Sequence, residues 1–186
     1  MINSTTLVVL DACVLVNYSL CDTVLRLAEL PRLFEPKWSE DIIRETTQTL
    51  EHKLAWPLSL TAHLKAELRA HFSKAWIEGY ESLIPRMTND EKDRHVLAAA
   101  VQCGAPLIVT FNLRHFRAEH VSSWGVVALH PQDFLIELFR QEQAVVLTKL
   151  GQQAADRGRS LRDLLETLNG TVPDFVKLVY RAESRR

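Results

Sequence analysis

Leu7-Val8-Val9-Leu10 runs without a polar interruption into Asp11. A short apolar run of this kind, preceded by polar Ser4-Thr5-Thr6, reads as a strand buried on both faces, the type found in parallel sheets. The carboxylate at its end falls where open α/β sheets bind ligands, beyond the carboxyl ends of the strands. Any fold for this chain must cover both faces of that strand and bring partners to Asp11.

The rest of the chain supplies alternating elements. Ala12 to Ser19 suits a short helix. A second helix, capped within Cys21-Asp22-Thr23, carries the stripe Val24, Leu25, Leu27, Ala28 and Leu30 and stops at Pro31. Leu33-Phe34-Glu35-Pro36 reads as a second strand. Ser39 can cap a helix running to about Leu54, with Glu40 and Asp41 answering its dipole. Leu60, Leu64, Leu68 and Phe72 recur every four residues, which predicts a helix over Leu58 to Trp76. Gly79 to Ile84 reads as a brief strand or extended linker. Thr88-Asn89-Asp90 starts a helix with Asp93 at the capping-box position, ended by Gly104. Pro106 to Thr110 and Val126 to Leu129 are further buried strands, with a polar loop at Phe111 to Phe116 and a short helix over Arg117 to Trp124 between them. His130-Pro131 opens another helix. From Gln141 onward the pattern is all helical, punctuated by Gly151, Gly158 and Gly170, with a basic stretch at Arg157, Arg159 and Arg162. Strands alternating with helices argue for an α/β layer fold. The expected division is a core over residues 1–140 and a helical extension over 141–186.

The totals narrow the function classes. At 186 residues and 47% hydrophobic content, one domain with a sizeable core is expected. A formal charge of −1 gives no overall basic signature, so any nucleic-acid surface must be local. Cys13, Cys21 and Cys103 lack metal-ligand spacing and read as reduced core or near-core thiols of a cytoplasmic protein. No apolar run approaches the roughly 20 residues of a membrane span, and no export signal is evident.

Three acids stand out. Asp93 lies three and four residues before Val96 and Leu97, so it projects from the apolar side of its helix. Glu45 lies three residues after Ile42, at the edge of the inward stripe. Each has an ordinary explanation: Asp11 caps the next turn, Glu45 is solvated, Asp93 answers a helix dipole. Together with Asp11 they can converge at one strand end, where buried like charges require compensation. A hard divalent cation with carboxylate ligands supplies it. Such ions suit phosphodiester hydrolysis, because they polarise the phosphoryl group, generate hydroxide from water and stabilise the leaving oxygen.

Four blocks carry a resemblance: Leu10-Asp11-Ala12-Cys13-Val14-Leu15, Trp38 to Thr46, Asp90 to Ala100, and Ile108 to Phe116. In order and spacing they resemble the PIN domain, and especially the VapC-type toxins of bacterial toxin–antitoxin pairs. The likeness covers about residues 5–140. It implies a three-layer α/β/α fold with a central parallel sheet, here with a C-terminal helical extension outside the common core. It implies a Mg²⁺- or Mn²⁺-dependent ribonuclease in which Asp11, Glu45 and Asp93 hold the metal. It also implies an RNA substrate, a cognate antitoxin lying across the acidic groove, and a homodimer. The fourth acid of the family pattern falls on Asn112, whose amide can orient water but brings no charge; Asp90 is a candidate replacement. Thr110 is placed to hold a water or a neighbouring acid. Arg114 and His115, in the loop after the strand, are candidate phosphate contacts. His95, Arg94 and Arg117 read as flanking surface groups, and Trp38 and Phe116 as core aromatics.

Two phosphoaspartate schemes fit poorly. A haloacid-dehalogenase-like enzyme wants a second aspartate where Cys13 stands, and a receiver domain wants an acidic pair and a late lysine. The remaining rival is a PIN-like module that binds RNA or protein with little or no cleavage, which Asn112 makes tenable.

Overall fold

The computed structural model describes residues 1–184. Five strands, β1 (Leu7–Leu10), β2 (Glu35–Ser39), β3 (Trp76–Ile77), β4 (Leu107–Val109) and β5 (Val127–Leu129), form one sheet in the order β3-β2-β1-β4-β5. Every pair is parallel, with Leu7 opposite Glu35 and Val8 opposite Leu107. The strand before Asp11 is therefore central. Val8, Val9 and Leu10 are each fully buried, and since successive side chains point to opposite faces, both faces are covered. Burial of each such side chain contributes roughly 1.5–3 kcal/mol.

Among the described residues ten α-helices surround the sheet: α1 (Ala12–Leu15), α2 (Tyr18–Ala28), α3 (Glu40–Leu54), α4 (Leu58–His71), α5 (Arg94–Cys103), α6 (Ala118–Val121), α7 (Pro131–Gln141), α8 (Gln143–Asp156), α9 (Leu161–Asn169) and α10 (Pro173–Glu183). This is a three-layer α/β/α architecture with added C-terminal helices. The apolar, alanine-rich face of α5, with Val96, Leu97 and Ala100 fully buried, packs on β1, β2 and β4. The small side chains let that helix lie close to the sheet. Helices α8 to α10 pack on α2 and α7, and Val146, Leu150, Leu165 and Phe175 share one continuous core with β1. No helix among the described residues is long and apolar enough to cross a membrane.

Several local expectations need correction. The first helical stretch breaks at Val16–Asn17, and the Asn17 side chain, not the Cys21–Thr23 segment, caps α2 by accepting from the Leu20 N–H. The second strand begins two residues later and ends at Ser39, with Trp38 and Ser39 both fully buried. The helix expected over 58–76 ends at His71. Phe72 leaves the helical region (φ −125°), and after a 3₁₀ turn Trp76 and Ile77 pair with Trp38 and Ser39 as β3. The repeat-by-four signal was misleading there, since Leu60 is exposed. Residues Glu81–Arg86 form a 3₁₀ helix, not a strand. The helix expected from 88–90 begins as a 3₁₀ turn over Glu91–Asp93, and α5 proper starts at Arg94.

Candidate functional site

The carboxyl ends of β1 and β4 lie side by side, and the ladder between them continues one step past the strands, with the Asp11 N–H donating to the Val109 carbonyl at 3.1 Å. This brings Asp11 beside Thr110. Both are buried, at 2% and 0% exposure. Asp11 stands at the N-cap of α1, yet its side chain makes no capping hydrogen bond. Its Oδ2 instead accepts from the Thr110 hydroxyl at 2.6 Å and from the Cys13 thiol at 3.1 Å. Thr110 Oγ1 in turn accepts from the Asn112 N–H at 3.0 Å, and Cys13 Sγ from the Phe111 N–H at 3.3 Å. Burial, reinforced by the Asp11 charge, pushes the Cys13 thiol up to about 12, so it keeps its proton and acts as a donor.

Asp93 reaches the same region from the turn before α5. It is 5% exposed and does not close a capping box; its carboxylate faces His115. The His115 ring Nδ1 lies 2.5 Å from Asp93 Oδ2, and Arg114 Nε donates to His115 Nε2 at 3.0 Å. With Nε2 accepting, the proton belongs on Nδ1, which donates to Asp93. Asp90 lies 3.9 Å from His115 Nε2, and its side chain also caps the 3₁₀ turn by accepting from the Lys92 N–H. Glu45, on α3, has a half-exposed side chain 3.6 Å from His95 Nε2. That distance is too long for a hydrogen bond, and His95 Nε2 is a buried nitrogen without a partner.

The three acids feel one another. Burial raises the Glu45 carboxyl, and the charges of Asp11 and Asp93 raise it further against the opposing pull of His95. Burial also raises Asp93; the His115 hydrogen bond opposes this, and the Asp11 charge adds to it. No lysine or arginine forms an ion pair with Asp11, Glu45 or Asp93 among the described residues; Lys53 acts on Glu45 through its charge alone. Asp11, Glu45 and Asp93 do not form a tight triplet. The ligand-type atoms that lie within 4.8 Å of one another belong to Asp90, Asp93 and His115; Asp11 and Glu45 lie outside that set, though the Asp11 charge acts on both Glu45 and Asp93. The donors are carboxylate oxygens with an imidazole at the margin, a set that fits a hard divalent cation.

The other residues named from the sequence fall around this edge. Asn112 is half-buried and contributes through its backbone, donating to Thr110 and accepting from the His115 N–H at 2.8 Å. Arg114 is exposed beside His115. Trp38 and Phe116 are buried in the core. Cys13, expected as a core or near-core thiol, contacts the Asp11 carboxylate, and its spacing of two from Asp11 is the sequence signal for that contact. The contacts of Asp93 with His115 and of His95 with Glu45 join segments far apart in sequence and left no local trace. A cavity of about 630 Å³ lies at the opposite, amino-terminal end of the sheet, among Ile2, Leu107, Val127 and Ile136, where Arg140 accompanies the acids Asp133 and Glu137.

A PIN-domain family model matches residues 7–114. Over 104 residues the chain is 39% identical to a Mycobacterium tuberculosis protein named "Putative ribonuclease VapC50", covering 54% of this chain and 62% of that protein. The aligned part thus spans less than two thirds of that relative.

Proposed function

The chain belongs to the PIN-domain family, and on that footing we propose that it is a Mg²⁺- or Mn²⁺-dependent endoribonuclease acting in the cytoplasm as the toxin of a type II toxin–antitoxin pair. The observation that carries this reading is the set of mutually repelling acids at one sheet edge, Asp11 and Asp93 buried and Glu45 half-exposed, none of them in an ion pair with a lysine or arginine among the described residues. Such a group adds nothing to stability, because a buried like charge is unfavourable without a counter-charge.

Asp11, Glu45 and Asp93 would hold the cation, and Asp90 offers the charge that Asn112 lacks. A divalent ion bound there supplies positive charge that polarises the scissile phosphoryl group and makes a water acidic enough to attack it. Thr110 fixes Asp11 through Oδ2. Asn112 holds Thr110 through its N–H, and its amide would orient water. His115 fixes Asp93, and Arg114 beside it meets the phosphate. A carboxylate with a spare oxygen can accept the proton released by the attacking water. Hydrolysis by this route leaves a 5′-phosphate and a 3′-hydroxyl. As a VapC-type toxin the chain would pair with a cognate antitoxin lying across the acidic edge, and would form a homodimer.

The test is cleavage of a fluorescent single-stranded RNA by highly purified protein with Mg²⁺, with Mn²⁺, and with chelator, alongside Asp11→Asn. Metal-dependent cleavage that vanishes in Asp11→Asn is expected. Tight RNA binding with no metal-dependent cleavage would instead establish the binding-module alternative that Asn112 raises.

A further inference from the structure

Oδ2 of Asp11 accepts two hydrogen bonds, from Thr110 at 2.6 Å and from Cys13 at 3.1 Å. One carboxylate oxygen has about two lone-pair positions, so Oδ2 is filled. No hydrogen bond reaches Oδ1 among the described residues. The two donors come from different places: Thr110 ends β4, and Cys13 sits two residues beyond Asp11 on α1. They also lie 3.4 Å from each other, so each limits where the other can swing. The thiol has a second task. Its sulfur accepts from the Phe111 N–H at 3.3 Å, which ties the start of the loop carrying Asn112, Arg114 and His115 to the end of β1.

We propose that Cys13 is a positioning residue: with Thr110 it clamps Oδ2 of Asp11, so that only Oδ1 is presented to the cation, and it anchors the β4 loop to the same carboxylate. This rests on the metal-dependent nuclease reading. A thiol packed merely as a small core side chain would be replaceable by any group of similar volume. A clamp requires a donor. Serine keeps a donor on nearly the same stem, whereas alanine and valine, smaller and larger than cysteine, both lack one.

The experiment measures Mn²⁺ affinity by calorimetry and RNA-cleavage kcat and KM for the full chain and for Cys13→Ser, Cys13→Ala, Cys13→Val and Asp11→Asn, with a thermal melt of each. Groups that orient metal ligands typically contribute about 10- to 100-fold in affinity or activity. Cys13→Ala and Cys13→Val are expected to lose about 10-fold in Mn²⁺ affinity and in kcat, with KM for RNA unchanged, while Cys13→Ser stays within about threefold. If one apolar variant fails to fold, the other decides. Wild-type Mn²⁺ affinity in a folded apolar variant overturns the proposal, as does an equal loss in the serine and apolar variants. Should Asp11→Asn keep full metal affinity and cleavage, the nuclease reading itself falls, and that result is separate from the behaviour of Cys13.

Discussion

Two groups of polar side chains in this molecule are built in opposite ways. Between α2 and α8, two acids meet two arginines. Asp22 binds Arg26 at 2.7 Å and Arg157 at 2.5 Å, and Arg26 also reaches Asp156 at 2.8 Å. Beside them the fully buried Gln153 accepts from Thr23 at 2.8 Å and donates to the Ser19 carbonyl at 3.0 Å. Charge is balanced and the Gln153 amide is satisfied at both ends. At the carboxyl end of β1, by contrast, Asp11, Glu45, Asp93 and Asp90 face two histidines and, among the described residues, no ion-paired arginine or lysine. The first arrangement locks the C-terminal helices to the core. The second is unfavourable as it stands, and a cation is what it suits.

The sharpest way to break this contrast is to neutralise one acid. Asp11→Asn should bring RNA cleavage to background while the melting temperature holds or rises, because a desolvated like charge has been removed. A protein that loses activity only by unfolding would show that Asp11 serves the fold. Metal linkage is the next test. Mn²⁺ at about 100 times its dissociation constant should add about 2.7 kcal/mol to unfolding free energy in the wild type and nothing in Asp11→Asn. Denaturant titrations with and without the ion read this directly.

Arg157→Ala probes the other cluster, where a smaller effect is expected. It leaves Asp22 with one partner and takes the guanidinium off the Tyr18 ring, 4.4 Å away. The pair is about one-fifth exposed on each side, so the loss should be about 1–2 kcal/mol, below the value for a fully buried pair. Cleavage per folded molecule should not change, and Mn²⁺ should stabilise this variant as fully as the wild type. A fall in cleavage at constant folded fraction would mean that the C-terminal helices shape the catalytic edge.

The sequence carried the architecture unevenly, for physical reasons. Continuous apolar runs such as Leu7–Leu10 and Leu107–Val109 identify central strands, because both of their faces must be covered. Ser39 marked its helix start, since its side chain accepts from the Ile42 N–H at 3.3 Å. β3 was not legible. Two residues are too few for a periodic signal, and Trp76-Ile77 is a strand only because Trp38 and Ser39 offer it an edge. At the candidate site, local spacing was enough to single out Asp11, Glu45 and Asp93. The partners that orient two of them, Thr110 and His115, lie 99 and 22 residues away in the chain, and such pairings exist only once the sheet has formed.

The smallest effect to look for is in pH dependence, and its sign separates the two kinds of carboxylate. Glu45 and Asp93 both have raised pKa values in the folded state, chiefly from burial. The native protein then holds more protons than the unfolded chain between the ordinary carboxylate pKa and the raised one, so these groups make stability fall as pH rises through that window. Below the unfolded pKa both states are protonated and no penalty exists; above the raised pKa the penalty is complete. Asp41 behaves in reverse. Burial opposes its ionisation, but the Tyr80 hydroxyl at 2.6 Å and Arg44 hold it low, so it stabilises at higher pH and that contribution is lost as pH falls through its folded value. Subtracting the stability curve of Asp93→Asn from that of the wild type, in metal-free buffer, should therefore give a line that descends with pH across the carboxylate range. The same subtraction for Asp41→Asn should ascend. Slopes of equal sign would mean that the acids at the β1 edge are compensated as fully as those elsewhere, and the contrast between the two clusters would be lost.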